Sequence, residues 1–309
     1  SYPEAILSSN IRSLIKDVET NPSAVNVQSL LETSENEFQY IVKYADEVKS
    51  QIHGPDISFV VNRNINYTNI CSFKCNFCAF SKGKGHDDLR GKPYNISEEE
   101  IIRRTKEAID RGATEVCLQG GIHPKFSGET YLEVVRAIRS VSDSIHIHAF
   151  SPLEIDHGRK TLNISVKDFL IELKNVGLNS LPGTAAEILH DDIRAIICPD
   201  KLNSNEWVEI IKAAHSVGLP TTSTMMFGHV ENMSHVAHHL IRLLEIQNST
   251  NGLTEFVPLP FVAEEAPIFR RGKSRPGPTF KETILVHSVA RILYNGSINN
   301  MQVSWGNMG

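Results

Sequence analysis

Cys71, Cys75 and Cys78 fall within eight residues, in the string Cys71-Ser72-Phe73-Lys74-Cys75-Asn76-Phe77-Cys78. Thiolates so closely spaced are ligands for a soft metal centre. Three of them on a four-iron cluster leave one iron without a protein ligand, whereas electron-transfer clusters take four cysteines. An open coordination position is what separates a catalytic metal from a structural one. A structural zinc would need a fourth ligand and a second Cys or His pair, and His86 is the only close candidate. A redox Cys-x-x-Cys pair would leave the third cysteine without a role. The string therefore reads as the anchor of a catalytic [4Fe–4S] cluster. Cys117 and Cys198 stand alone in apolar surroundings and read as small buried hydrophobes.

Other residues could do chemistry nearby. Gln119-Gly120-Gly121 would let a backbone approach a ligand closely, although a Gly-Gly turn needs no ligand. His146 and His148 alternate along an apolar run and so share one strand face, where they could bind substrate or move a proton near neutral pH. The bland reading is that one is a hydrogen-bonded core histidine, and His148 is the functional candidate because it lies nearer the strand's end. Thr222 and Thr224 put hydroxyls on a buried strand, to be satisfied by a polar cofactor or by neighbouring strands. Glu187 is either a site carboxylate or a first-turn helix charge. The run Arg103-Arg104-Thr105-Lys106-Glu107 reads as a solvated helix face, as do His235, His238 and His239.

The elements that must position these residues alternate. Residues 1–56 read as a helical extension ending at His53-Gly54-Pro55. From residue 57 onward, strands are expected over 58–68, 114–118, 145–150, 178–181, 220–226, 254–259 and 300–305. Helices are expected over 97–111, 130–140, 166–176, 205–217, 230–247 and 281–294. Strand–helix alternation at this spacing implies parallel βαβ units, and six or seven of them favour a barrel or partial barrel over an open sheet. The cysteine string follows the first strand directly, at the strand end where βα barrels build active sites. The proline-rich stretch 258–278 reads as an ordered loop over the barrel mouth.

Bulk properties narrow the class. The 309 residues are 40% hydrophobic and 22% charged, an ordinary globular balance. A net charge of -5 without a basic stripe argues against a nucleic-acid partner. No apolar stretch has the roughly 18 residues a membrane helix needs, so no membrane partner is expected. Five cysteines, three of them clustered, do not form a secreted disulfide scaffold. The expected location is the cytoplasm or another reducing compartment. A chain that begins at Ser1 and ends at Gly309 just past a strand-like stretch reads as an excerpt of a longer polypeptide.

Cys-x-x-x-Cys-x-aromatic-Cys, with Phe77 as the aromatic, resembles the signature of the radical S-adenosylmethionine superfamily. Asn62-Arg63-Asn64-Ile65-Asn66-Tyr67-Thr68-Asn69, Gln119–Pro124, His146–Pro152, Gly183–Leu189, Thr222–Glu231 and Arg275-Pro276-Gly277-Pro278-Thr279 carry the likeness further. Together they resemble the tyrosine-using half of the deazaflavin (FO) synthases, over about 58–305. The resemblance implies an α/β fold, a radical SAM partial (β/α)6 TIM-type barrel over 57–309 behind the helical extension 1–56. The family continues past residue 305 with a further helix and a glycine-rich strand, so a barrel truncated at its C-terminal end is expected.

The resemblance also implies the chemistry. Cys71, Cys75 and Cys78 would ligate the [4Fe–4S] cluster, and S-adenosyl-L-methionine would chelate the open iron. Phe77, Gln119, Gly120, Gly121, Thr222 and Thr224 would line the cofactor, with His148 and Glu187 as catalytic candidates. The substrates would be L-tyrosine, cleaved at Cα–Cβ, and 5-amino-6-(D-ribitylamino)uracil, which receives the 4-hydroxybenzyl group. Implied partners are the second radical SAM half, separate or fused, and an electron donor such as ferredoxin or flavodoxin. Two other readings stay open: a futalosine-pathway enzyme of the dehypoxanthine futalosine cyclase type, and a non-catalytic iron–sulfur protein.

Overall fold

The structure is a computed structural model that describes residues 2–53, 61–68, 95–264 and 266–302, with side chains of 2–9 and 53 left aside. Three helices come first: α1 (Tyr2–Thr20), α2 (Ala24–Leu31) and α3 (Glu35–His53). Then follow β1 (Asn62–Asn66), α4 (Glu98–Asp110), β2 (Glu115–Gln119), α5 (Gly128–Arg139) and β3 (His146–Ala149). Next come α6 (Pro152–Thr161), α7 (Val166–Val176), α8 (Asp191–Ile197), α9 (Ser204–Ser216), β4 (Thr221–Phe227) and α10 (Met233–Thr250). The series closes with β5 (Leu253–Pro260), the short α11 (Pro267–Arg270) and α12 (Phe280–Leu293).

The strands form two parallel sheets in chain order, β1-β2-β3 and β4-β5. β1 pairs with β2 and β2 with β3, so that Asn64, Cys117 and His148 lie in one row across the sheet. A bridge from His148 to Ser180 and another from Leu181 to Thr221 carry the sheet on to β4. β4 pairs with β5, and Phe256 bridges to Met301. Parallel strands in chain order with helices between them curl into a partial barrel. Two expected strands shrink to bridges: 178–181 pairs only at Ser180 and Leu181, and 300–305 pairs at Met301 within the described residues. At the first, Ile147 N–H donates to the Asn179 side-chain oxygen at 2.8 Å, where a ladder would have offered a backbone carbonyl.

Local signals place the helices. Ser97, Ser151, Ser165, Asn203, Asn232 and Thr279 each cap a helix by accepting the N–H three residues on. The outer sheet face is apolar: Ile65, Val116, Leu118, Ile147 and Ala149 pack in one core with Ile101, Val135, Ile138 and Leu170 from the helices. Strand alternation then turns Asn64, Glu115, Cys117, Gln119, His146 and His148 to the barrel interior. Ile11, Ile15, Val18, Val27, Leu30 and Leu31 of α1 and α2 share a second core with Leu240 of α10 and Val286 and Val289 of α12. Apolar residues on both sides of residue 56 therefore belong to one core. The stretch 258–278 carries the end of β5, α11 and the return to Arg275. Among the described residues, no helix is long and apolar enough to cross a membrane.

Candidate active site

At the C-terminal ends of β1 and β2 two loops are tied together. Tyr67 N–H donates to the Gln119 carbonyl at 3.3 Å, and Gly121 N–H donates to the Thr68 carbonyl at 3.1 Å. The segment that precedes Cys71 in the sequence is thus hydrogen-bonded to Gln119 and Gly121, on either side of Gly120. Cys71, Cys75, Phe77 and Cys78 lie outside the described residues, and so does His86. Gly120 has a specific reason to be glycine, since a Cβ there would sit 2.7 Å from the Tyr67 ring. That ring is fully buried among Phe126, Tyr131 and Phe150. Its hydroxyl donates to Glu154, which also accepts from Ser151 N–H at 3.2 Å and Ser151 Oγ at 3.0 Å. Burial raises the Glu154 carboxyl to about 7 and the Tyr67 phenol well above its ordinary value.

A second group surrounds β4. Thr222 Oγ1 accepts from Gly183 N–H at 3.1 Å, and Thr224 Oγ1 donates to the Gly183 carbonyl at 2.8 Å. Both hydroxyls are thereby engaged by the adjacent segment of chain. Glu187 has a left-handed backbone (φ 50) in the loop after that segment, and its carbonyl accepts from Met226 N–H at 2.8 Å. It is part of neither α8 nor any other helix, so the first-turn reading does not apply. Past the end of β4, buried Glu231 accepts from Gly228 N–H at 2.8 Å and His229 N–H at 2.7 Å, and pairs with Arg275. Arg275 reaches Glu282 as well, so the 258–278 stretch is pinned to the β4 loop.

The third group lies inside the barrel. His146 Nε2 and His148 Nδ1 each lie 2.7 Å from Ser180 Oγ, and His146 Nε2 lies 3.5 Å from Glu115 Oε1. Burial, with His146 beside it, lowers His148 to about 4, so its imidazole is neutral at pH 7. Neither histidine is a core residue of the outer face. Cys117 departs from expectation: it is half-buried in this polar interior, with Sγ 3.5 Å from Glu115 Oε2. It alternates with Val116 and Leu118, and those take the apolar face. Cys198 does pack in the core.

His239 also departs from its reading as a surface position. It is fully buried, where Nδ1 accepts from Leu189 N–H at 2.9 Å and Nε2 donates to the Thr224 carbonyl at 2.9 Å. Its place between Val236, Leu240 and Leu243 on the apolar stripe of α10 was the available signal. Sequence reasoning also missed Glu154 and Glu231. The Ser151-Pro152-Leu153-Glu154 capping box would have located the first.

A parallel partial barrel whose first strand is followed in the sequence by a three-cysteine string defines a class, and residues 65–243 match the family model of the Radical SAM superfamily. Solved structures agree on the fold. The chain superposes on methylornithine synthase with a TM-score of 0.69 at 16% identity, over 94% of this chain and 78% of that one. On the hydrogenase maturase HydG the TM-score is 0.71 at 14% identity, over 95% and 67%. Sequence gives the finer placement. The chain is 46% identical over 269 residues to the 5-amino-6-(D-ribitylamino)uracil–L-tyrosine 4-hydroxyphenyl transferase of Methanopyrus kandleri, 87% of this chain and 72% of that protein. It is 46% identical over 283 residues to that of Methanocaldococcus jannaschii, 91% and 77%. The FO synthase of Mycobacterium leprae is 46% identical over 269 residues, but the chain spans only 31% of its length. This chain belongs to the radical SAM family of these 4-hydroxyphenyl transferases.

The cofactors of this superfamily are a [4Fe–4S] cluster and S-adenosylmethionine, and the residues present fit them. The chain supplies three thiolate donors three to ten residues after Thr68 in the sequence, and Thr68 itself is hydrogen-bonded to Gly121 of a Gly-Gly edge that presents bare backbone.

Proposed function

We propose that this chain cleaves L-tyrosine and transfers its 4-hydroxybenzyl group to 5-amino-6-(D-ribitylamino)uracil, the tyrosine-using step of deazaflavin synthesis. The observation that carries this reading is 44–46% identity over most of the chain to proteins bearing that transferase name. The relatives' names do not favour the futalosine alternative. In the reaction a hydrogen atom leaves the tyrosine amine, the Cα–Cβ bond breaks with release of 2-iminoacetate, and the benzylic carbon bonds to C5 of the uracil; the adduct radical then gives up one electron and one proton.

When bound, the cluster and S-adenosylmethionine would supply the one-electron chemistry that activates the substrate. Cys71, Cys75 and Cys78 would hold the cluster. The Gly120-Gly121 edge, with Phe77 and Gln119, would bind S-adenosylmethionine. Tyr67 and Glu154 brace that edge from behind. Thr222 and Thr224 hold the Gly183 loop that presents Glu187 to the cofactor. His148, neutral and hydrogen-bonded to Ser180, faces the substrate space as an acceptor or a proton carrier. A closed, dry site keeps the radical from side reactions, and Arg275 ties the 258–278 stretch down for that purpose. The second radical SAM half acts on the adduct, and a low-potential donor such as ferredoxin or flavodoxin delivers the electron.

The test is anaerobic reconstitution followed by incubation with both substrates, S-adenosylmethionine and dithionite, read by mass spectrometry. A hydroxybenzyl–uracil adduct and 5'-deoxyadenosine are expected. Cofactor cleavage with futalosine-type substrates but not tyrosine would reassign the chain. No 5'-deoxyadenosine under any condition would make it a non-catalytic iron–sulfur protein.

A further inference from the structure

The interior of a closed eight-stranded βα barrel is packed with branched aliphatic side chains. Here the first three strands turn a polar surface inward. Their register sets it out in rows: Asn62, Glu115 and His146 at the floor, then Asn64, Cys117 and His148, then Asn66 and Gln119. Asn62, Asn64, Asn66 and Gln119 are all exposed, and the His146 side chain is 43% exposed. Glu255 of β5 completes the floor from the other side. It feels the charge of Glu115 and accepts from Gln302, and burial raises it to about 7.

Glu115, His146 and His148 each offer one ligating atom, and the three atoms lie within 4.8 Å of one another. Ser180 Oγ has a single proton, yet it lies 2.7 Å from a nitrogen of both histidines. It can donate to one of them at most. Where one ring donates and the other accepts, the two rings hold the same tautomer, because Nε2 of His146 and Nδ1 of His148 are the atoms that meet it. Each neutral ring then carries one donor and one acceptor nitrogen. The group offers carboxylate acceptors, a hydroxyl and imidazole nitrogens of both polarities within a few ångströms. Adjacent hydroxyls of a polyol, each both donor and acceptor, match that mixture.

Depth along the strands agrees. At about 3.3 Å per residue, Cys117 lies roughly 10 Å below Gly120 and Glu115 roughly 16 Å below it. A uracil ring held beneath the cofactor edge would extend a five-carbon side chain down to this floor.

We infer that Glu115, His146 and Ser180, with Glu255 opposite, form the subsite for the hydroxylated ribityl chain of the acceptor substrate. This rests on the transferase reading above and extends it to named residues. The subsite anchors the uracil so that C5 meets the benzylic carbon of tyrosine, and it distinguishes a polyol from an alkyl side chain.

The test uses the cluster-loaded enzyme under anaerobic conditions. The unaltered chain should react with 5-amino-6-(D-ribitylamino)uracil and discriminate by about tenfold or more against the 6-pentylamino analogue, which lacks every side-chain hydroxyl. His146→Leu and Glu115→Gln should raise KM for the ribityl substrate about tenfold, leave KM for tyrosine within about twofold, and erase that discrimination. Equal use of the two uracils by the unaltered chain would overturn the inference even if the variants fail to fold. So would a variant that raises KM for tyrosine alone. A stoichiometric divalent ion beyond cluster iron, lost on His146→Leu, would make the site a metal centre and also overturn it. Failure to form any adduct from tyrosine in the unaltered chain would instead reject the transferase reading.

Discussion

At the scale of single residues, the cysteine string announces itself in the sequence, whereas the residues that brace the adjoining strand ends do not. Type and spacing alone point Cys71, Cys75 and Cys78 to a cluster, because no structural use needs three thiolates so placed. Changing Cys75 to Ala should therefore abolish the brown absorbance of the reconstituted protein together with S-adenosylmethionine cleavage; full cluster content would refute the assignment. Tyr67 and Glu154 carry no such signature, since the one is 87 residues from the other and only folding joins them. Tyr67→Phe leaves the buried Glu154 carboxyl without that donor, which should cost about 1–3 kcal/mol in chemical denaturation. An unchanged midpoint would mean that the phenol contributes nothing to the Gly-Gly brace. Cys117 was misread because strand alternation, not local hydrophobicity, decides which face a residue takes.

At the scale of elements, periodic segments were readable and short ones were not. The α7 helix falls where its apolar spacing puts it, with Ser165 before it and Gly177 after it. By contrast α6 and α8 escape a periodicity search: the first is polar and interrupted by Gly158, the second only seven residues long. The strand expected over 178–181 is curtailed because a side chain, that of Asn179, takes the place of backbone in the ladder. Close backbone approach is invisible in sequence as well. A Cβ on Gly183 would stand 2.0 Å from the Thr222 carbonyl oxygen, which is fixed in β4. Gly183→Ala should thus destabilise the protein by about 1–3 kcal/mol and loosen the loop carrying Glu187. Thermal denaturation indistinguishable from the parent would show that the segment can yield.

At the scale of the whole molecule, buried titratable groups set how stability depends on pH. Burial lowers His148, His215 and His229 to about 4 and His239 to about 3. Between about pH 4 and 6.5 these histidines take up protons only when the chain unfolds, so stability rises with pH across that window. Glu154 and Glu255, raised to about 7, act the other way: between about pH 4.5 and 7 they hold protons only in the folded state. Four groups against two predict a net gain in stability from pH 4.5 to 6.5 at constant ionic strength. A flat or falling denaturation midpoint over that range would contradict the balance. Overall topology was the most legible level of all, because strand–helix alternation leaves few parallel arrangements to choose from.

The core shared by α1–α3 with α10 and α12 has a consequence in time. Glu35 meets Lys281 across 246 residues of chain. At about 5–20 residues per second of synthesis, roughly 12–50 s separate the emergence of the two ends. Through that interval Ile11, Ile15, Val18, Leu30 and Leu31 have no α12 to cover them. Helices α1–α3 thus leave the ribosome well before α12, the partner that completes their core. Long-range closure of this kind also makes refolding in vitro slow and sensitive to protein concentration.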